Sequence, residues 1–329
     1  METGFYAFGT ANFIRIEDNM REDEQRMILS DMSRRCDELD DMLSVFKPES
    51  DISRINENAG IGPVKISSMT YKILERALYY AEQTDGAFDP TIRPAVELWK
   101  IGKAGEHVPS AAECADVSGL VNYRGLHLDV RGQTAFLEMK GQKLDLGGIA
   151  KGAAGDEIKA ELKYRGVRSA ILNFGGTILT IGQKADGRDW KVGIQNPVSD
   201  RGRMAGSVTL NDDALVTSGV NERYFIKNGK RFHHLLDPET CMPAESGVLS
   251  VTAAGGCAMD LDALTTALFV KGAEKGIELV TELNKNGASA GQDSGLEALY
   301  INDGGSIVAT RGFADMRYRF TMNSGYPAA

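Results

Sequence analysis

Cysteine is scarce in this sequence of 329 residues, and the few cysteines are scattered. Cys36, Cys114, Cys241 and Cys257 form no CxxC pair, and no histidine stands beside them at metal-ligand spacing. We therefore expect neither a zinc nor an iron–sulfur site. A chain of this length can bury a sizeable core, so it needs no disulfide framework either.

Long apolar runs are also missing. No stretch of the sequence reaches the roughly 18 consecutive apolar residues that cross a bilayer. The opening METGFYAFGTANFIRI lacks the basic segment and long apolar stretch of a secretory signal. The sequence predicts no membrane segment, and we expect a cytoplasmic protein. An exported protein whose signal has been removed is the alternative that stays open.

Positive charge is in deficit, with 37 Lys and Arg residues against 46 Asp and Glu residues and a formal net charge of -9. Such a chain, without a run of basic residues, repels nucleic acid, so nucleic acid is not an expected partner. A phosphate-bearing ligand would need local positive groups or a bound cation. What is present, 42% hydrophobic and 25% charged residues, is the composition of a folded globular protein.

The apolar periodicity predicts a mixed fold. Short strands follow one another too closely for repeated βαβ crossovers, so we expect an α+β fold with mostly antiparallel sheets and flanking helices. Residues 103–117 are expected to form a loose surface excursion. Helical spacing of apolar residues predicts helices over 21–46, 68–83, 259–270, 273–283 and from the segment 144–152 to about residue 164. Alternation of apolar and polar residues predicts one strand over 5–16, a hairpin after residue 125 and short strands between 169 and 310.

The segment AMDLDALTTALFVKG places a carboxylate and a hydroxyl four residues apart, at Asp262 and Thr266. On a helix the two side chains share one face, and two hard oxygen ligands suit Mg²⁺. A structural interpretation is also available, because acidic residues are favoured at a helix start and a threonine can hydrogen-bond to the preceding turn. The spacing alone leaves both interpretations open.

Two glycine-bearing segments could bind phosphate. LDLGGIAKG, residues 144–152, combines paired glycines, the start of a helix and the positive charge of Lys151. NFGGT, residues 173–177, carries a second glycine pair. Neither segment is a Walker A loop or a GxGxxG fingerprint, and a turn that needs glycine is the simpler explanation of each.

A polar hairpin is predicted in TSGVNERYFIKNGKRFHHLLDPETCMP, with its turn at residues 227–229. It brings Ser218 and Glu222 into the neighbourhood of two adjacent histidines. Because neighbouring residues of a strand point to opposite sides, at most one of His233 and His234 can face a given site. Ser218 lacks the GxSxG context of a nucleophilic serine, so covalent serine catalysis is not predicted.

Taken together, these segments resemble the ApbE family of FAD:protein FMN transferases. The resemblance covers most of the chain, and the order of the segments is that of the family. They are FGT (8–10), SVFKPESDISRIN (44–56), TDGAFDPTIRP (84–94), LDLGGIAKG, LNFGG, WKVGIQNP, LVTSG, RYFIKNGKRFHHLLDP and MDLDALTTALFVKG.

The resemblance implies an ApbE-like, T-fold-like architecture with an FAD cleft between two halves. A single domain over residues 1–329 is expected, with two subdomains around the cleft as a variant of it. The implied metal ligands for Mg²⁺ are Asp262, Thr266 and the backbone carbonyl of Gly148. The residues implied to bind FAD, the substrate, are Asn56, Asp85, Gly86, Ala87, Phe88, Lys151, Ser218, Glu222 and His234.

The implied reaction moves FMN from FAD to a Thr or Ser hydroxyl of an acceptor protein and releases AMP. Asp262 with its metal and Lys151 would neutralise phosphoryl charge. His234 is the candidate for taking the hydroxyl proton, and a purely positional role for it stays open. An FAD pyrophosphatase that uses water, and a flavin-binding module without turnover, are the alternative functions.

Two positions depart from the family pattern. Thr177 follows NFGG where asparagine is common, and Cys241 follows LLDPET where glycine is usual. We expect the first difference to alter a contact in the flavin cleft and the second to change a turn.

Overall fold

The helices form where apolar residues recur at helical spacing. The computed structural model describes residues 1–200, 202–289, 295–314, 317–324 and 326. Residues 68–83 form a helix with the predicted bounds, because Ile73, Leu74 and Ala77 make one buried stripe and the Ser67 side chain caps the first turn. In the described part of the chain the α-helices are α1 (Glu22–Leu43), α2 (Asp51–Glu57), α3 (Ser68–Gln83), α4 (Arg93–Trp99), α5 (Ala111–Ser118), α6 (Ala150–Tyr164), α7 (Ala258–Lys271), α8 (Ala273–Ser289) and α9 (Arg311–Ala314), with a 3-10 turn at Tyr123–Gly125.

The strands pair antiparallel throughout the named sheets, as the sequence predicts. An isolated parallel bridge joins Ile92 to Lys143 outside the named strands. The strands are β1 (Glu2–Ala7), β2 (Thr10–Ile16), β3 (Val64–Lys65), β4 (Leu126–Asp129), β5 (Thr134–Leu137), β6 (Ala170–Phe174), β7 (Thr177–Ile181), β8 (Trp190–Gln195), β9 (Met204–Leu210), β10 (Ala214–Gly219), β11 (Tyr224–Lys227), β12 (Lys230–His233), β13 (Leu236–Asp237), β14 (Met242–Pro243), β15 (Val248–Gly255), β16 (Glu297–Asn302), β17 (Ile307–Ala309) and β18 (Thr321–Met322).

One large sheet organises the molecule, with strand order β1-β2-β6-β7-β10-β15-β16-β17. Side chains on the two faces of this sheet belong to two different hydrophobic cores, because successive residues of a strand point to opposite faces. Val216 and Ala253 belong to the core that the sheet shares with the helices, whereas Leu215 and Ala254 belong to a second core with β8 and β9. A third, smaller core joins α4 and α5 to the β11–β12 hairpin.

Two predicted elements are wrong, and the end of one predicted helix is shifted. Residues 5–16 form two strands, β1 and β2, because Phe8 and Gly9 both have positive φ and turn the chain back on itself. Residues 103–117 contain a helix, α5, whose start is fixed by a capping box between Ser110 and Glu113. Helix α1 ends at Leu43, about one turn before the predicted end.

Within the described residues, none of the helices is long and apolar enough to cross a bilayer.

Candidate active site

The candidate site lies where the first turns of α6 and α7 meet. The Asp262 carboxylate of α7 is buried and accepts a hydrogen bond from the Gly152 backbone N–H of α6, at 3.0 Å. The helices approach so closely that a Cβ added to Gly152 would lie 2.2 Å from the Ala258 carbonyl oxygen. Glycine is therefore required at position 152, and the approach brings Asp262 to the start of α6.

Lys151 supplies the positive charge at this junction. Its Nζ lies 3.1 Å and 3.2 Å from the two carboxylate oxygens of Asp262. The same Nζ donates a 2.7 Å hydrogen bond to the Gly147 carbonyl. The Asp262 side chain is only 5% exposed and that of Lys151 is 21% exposed, so the pair is screened weakly by solvent.

The Gly148 backbone lies beside the second predicted oxygen ligand. A Cβ added there would lie 3.2 Å from the Thr266 Oγ1 and 3.2 Å from Cε2 of Phe88, so the site is narrow at this point. The Lys151 ammonium group contacts both Asp262 and a backbone carbonyl, and this carbonyl belongs to Gly147. Gly147 was not predicted from the sequence. A backbone carbonyl has no sequence signature, so only the fold could reveal it. Gly148 as a metal ligand stays a prediction.

The donor set fits magnesium in its chemistry. It combines one carboxylate (Asp262), one hydroxyl (Thr266) and a backbone carbonyl in the Gly147–Gly148 turn, all of them hard oxygen donors. Among the described residues, no three or more His, Cys, Asp and Glu side chains gather as a metal cluster. Magnesium needs no such cluster, because it completes its octahedron with water and phosphate oxygens.

The LDLGG turn is held in place by polar contacts on both sides. The Asn56 amide accepts from the Leu144 backbone N–H at 2.6 Å and donates to the Leu144 carbonyl at 3.1 Å. Asp145 accepts from the Gly147 N–H at 2.8 Å and pairs with Arg93 at 3.1 Å. Asn56 thus positions the turn in this structure, and its predicted contact with the flavin stays a prediction.

Ser218 connects to the same turn of α7 as Asp262. Its Oγ donates to Thr265 Oγ1 at 3.0 Å, and Thr265 Oγ1 donates to the Asp262 backbone carbonyl at 3.1 Å. The threonine that bonds back to the preceding turn is therefore Thr265. Thr266, for which that structural explanation was open, instead lies beside Gly148.

The adjacent histidines differ in their surroundings. His233 is buried and packs edge-on against the Phe269 ring. His234 is half-buried, with Nδ1 3.2 Å from the Arg223 carbonyl oxygen. Burial lowers the pKa of each imidazole to about 4, and for His234 the positive charges of Arg223 and Lys151 act in the same direction. Both histidines are therefore neutral at pH 7, and the charge of Lys151 acts on His234.

Apart from the buried Phe88, the remaining predicted residues are exposed or half-buried, and together with Phe46 they are called the rim. Asp85 is 91% exposed, and its carboxylate is 3.8 Å from Lys271 Nζ. Gly86 lies against the Tyr123 ring, Ala87 is half-buried, and Glu222 is exposed in the turn after β10. From the TDGAF segment, Phe88 is the residue whose ring reaches the Gly148 backbone.

Phe46 is a rim residue that sequence reasoning missed. The ring is 65% exposed, and Lys103 Nζ and Arg93 Cζ lie 4.1 Å and 4.9 Å from its centroid. Arg93 also pairs with Asp145, so Phe46 is one side chain away from the LDLGG turn. A phenylalanine in the polar segment SVFKPES was the available signal, because an exposed aromatic ring offers a flat surface for stacking.

This fold and this site define the class of protein. The sequence model of the ApbE family matches residues 8–290, and the chain belongs to this family. The FAD:protein FMN transferase of Klebsiella pneumoniae (strain 342) is 34% identical over 288 residues, which cover 87% of this chain and 85% of that protein. The FAD:protein FMN transferase of Treponema pallidum (strain Nichols) is 32% identical over 320 residues, which cover 93% and 86%.

Solved structures agree with the family. A crystal structure of the ApbE protein from Thermotoga maritima has a TM-score of 0.84 and 30% identity, and covers 95% of this chain and 98% of that chain. The flavin transferase ApbE from Vibrio cholerae has a TM-score of 0.82 and 26% identity, with the same coverage. The predicted α+β fold and the predicted family are confirmed.

Proposed function

We propose that this protein transfers the FMN half of FAD to a Thr or Ser hydroxyl of an acceptor protein, with a magnesium ion at Asp262. One observation carries the proposal: in a chain of the ApbE family, a buried carboxylate, a lysine ammonium and a backbone carbonyl meet at the start of one helix. This arrangement can hold a cation and a phosphate together, which an acidic protein needs for a pyrophosphate substrate.

Asp262, Thr266 and a carbonyl of the Gly147–Gly148 turn would hold the magnesium ion. When bound, the ion supplies positive charge that neutralises the phosphoryl oxygens of FAD. Lys151 supplies a second positive charge on a flexible side chain. Asn56 and Asp145 keep the turn that carries these donors in one conformation.

The reaction forms one bond and breaks one. The acceptor hydroxyl oxygen bonds to the FMN phosphorus, while the bond from that phosphorus to the bridging pyrophosphate oxygen breaks and AMP leaves with that oxygen. His234 is neutral at pH 7 and can take the hydroxyl proton. Its pKa of about 4 makes it a weak base in the free protein, and the negative charge of bound pyrophosphate would raise that pKa toward the working pH.

The test is to incubate the purified protein with FAD, MgCl₂ and a candidate acceptor, and to follow in-gel flavin fluorescence after denaturation. We expect flavin fluorescence on the acceptor, AMP released in equal amount, and no reaction in EDTA. Asp262→Ala should abolish the reaction. Asp186→Ala is the matched control, because it removes an acidic side chain that pairs with the nearby Arg188 in an exposed turn.

Two outcomes would contradict the proposal in different ways. Free FMN and AMP with an unmodified acceptor would identify an FAD pyrophosphatase. FAD that stays intact in magnesium would identify a flavin-binding module without turnover.

A further inference from the structure

We propose that the Lys151 ammonium is a built-in substitute for the magnesium ion, which neutralises Asp262 while the metal is absent and moves toward the FAD phosphates when the metal binds. The inference rests on the magnesium site of the proposed function. It adds that Lys151 has one role in the metal-free site and another in the metal-bound site.

The ammonium is positioned as a bound cation would be. Its three oxygen neighbours are the two carboxylate oxygens of Asp262, at 3.1 Å and 3.2 Å, and the Gly147 carbonyl oxygen, at 2.7 Å. An ammonium group has three N–H donors, so these three oxygens can engage all of them. The carboxylate and the carbonyl belong to different elements, α7 and the LDLGG turn, and Lys151 joins them.

Asp262 needs this cation when no metal is bound. Its side chain is 5% exposed, and its other hydrogen bond in the structure comes from the Gly152 backbone N–H, at 3.0 Å. A buried carboxylate with a single backbone donor would carry a large desolvation penalty, which a paired positive charge offsets. Lys151 therefore stabilises the metal-free protein.

The two cations compete for these oxygens, because the ammonium already contacts both carboxylate oxygens of Asp262 and the Gly147 carbonyl. Magnesium binds oxygen at about 2.0–2.1 Å, and a divalent ion between Asp262 and the Gly147–Gly148 turn would lie next to the ammonium group. The repulsion between two such cations in a weakly screened site is large. Metal binding must therefore break the contacts of Lys151 with Asp262.

The Lys151 side chain can move away from Asp262. Lys151 stands in the first turn of α6 with its side chain 21% exposed, so its four-carbon stem can swing without unfolding the helix. A bound pyrophosphate would give the displaced ammonium a new anionic partner. The affinities for magnesium and FAD are then positively coupled through this one residue.

The experiment compares wild type with Lys151→Met, which keeps the length of the side chain and removes its charge. Lys163→Met is the matched control, because Lys163 is on the same helix and pairs with Asp212, away from the site. Magnesium affinity is measured by isothermal titration calorimetry without FAD, and melting temperature is measured in EDTA and in MgCl₂. For Lys151→Met we expect about tenfold tighter magnesium binding, a lower melting temperature in EDTA, and recovery of that loss in MgCl₂.

A second measurement uses the unmodified protein, so it does not depend on whether the variant folds. Reductive methylation of Lys151 with formaldehyde is followed by mass spectrometry in EDTA and in MgCl₂. Faster labelling of Lys151 in MgCl₂, with unchanged labelling of Lys163, is expected.

The outcomes separate this inference from the proposed function. Magnesium binding that is equal or weaker in Lys151→Met, or labelling that does not accelerate in MgCl₂, overturns the exchange and leaves the metal site standing. Magnesium that binds neither protein overturns both.

Discussion

The helix junction and the rim of this protein are built in opposite ways. At the junction, Lys151, Gly152 and Asp262 are packed so closely that a single Cβ is excluded, and each polar group has a partner. At the rim, Asp85 and Phe46 are largely exposed and their contacts are with lysine and arginine side chains. The difference indicates that the Asp262 carboxylate is held in one position by the helix packing, whereas the exposed side chains at the rim can adjust.

A second layer of contacts keeps the junction rigid. Arg76 of α3 donates two 2.6 Å hydrogen bonds to the Asp260 carboxylate of α7. Asp156 of α6 accepts from the Ala258 and Met259 N–H groups at 3.0 Å and 2.8 Å, and so caps the start of α7. Three helices are thereby locked around Asp262.

The largest expected effect is at the centre of the junction. Asp262→Ala should reduce the rate of FMN transfer by on the order of 1000-fold or more, because several kcal/mol of charge stabilisation is lost with the proposed metal ligand. Initial rates of AMP release, measured by chromatography at saturating FAD, check this. A loss of less than about tenfold would mean that the chemistry does not depend on this carboxylate.

The close helix approach gives the next prediction. Gly152→Ala should destabilise the protein by about 1–3 kcal/mol and reduce transfer, because its Cβ would overlap a backbone carbonyl that cannot move alone. Gly155→Ala on the same helix is the control, since its Cβ would meet Leu179 Cδ1, the end of a flexible side chain. Urea unfolding measures both. Equal destabilisation by the two substitutions would show that the junction is no tighter than the rest of α6.

His233 tests the packing between the β11–β12 hairpin and the helices, because this buried residue packs against Phe269 of α7. Burial lowers the pKa of His233 in the folded protein from 6.5 to about 4. As the pH falls, the imidazole is therefore protonated in the unfolded chain before it is protonated in the folded protein. The stability from the neutral imidazole is fully present above pH 6.5 and is lost as the pH falls toward 4. In His233→Leu the free energy of unfolding should depend less steeply on pH, because about one proton fewer is taken up on unfolding. Urea unfolding at pH 7 and pH 5 measures this dependence. The same slope in both proteins would contradict the burial argument.

The smallest effect is expected at the rim. Phe46→Ala should raise KM for FAD a few-fold, because roughly 1 kcal/mol of stacking energy is lost. The free energy of unfolding should stay nearly unchanged, because the ring is exposed. Steady-state kinetics and urea unfolding measure the two quantities. A large loss of stability with unchanged KM would place Phe46 in the structural core instead.

The sequence predicts the regular parts of the fold well and the turns less well. Helix α3 follows from its apolar stripe and its Ser67 cap. The β1–β2 turn was missed because Phe8 adopts a positive φ that its residue type does not suggest. The capping box of Ser110 and Glu113 was readable and was overlooked. Cys241, where the family usually has glycine, also has a positive φ, 55°, so the fold demands the turn that glycine would favour.

The site was less predictable than the fold. Asp262 has the sequence appearance of any acidic residue near a helix start, so family context was needed to single it out. The Gly147 carbonyl could not be found, because its role depends on where the Lys151 side chain folds back. His233, and not its neighbour His234, packs against Phe269, and no local sequence pattern encodes that choice.

The most direct test of the account traces oxygen atoms in the reaction. The protein, FAD, MgCl₂ and an acceptor are incubated in water enriched in oxygen-18, and the products are analysed by mass spectrometry. FMN bound to the acceptor and AMP released in equal amount, neither carrying solvent oxygen, are the expected products. Free FMN or AMP with oxygen-18 in its phosphate, beside an unmodified acceptor, would contradict the proposed transfer, because water would then be the attacking group.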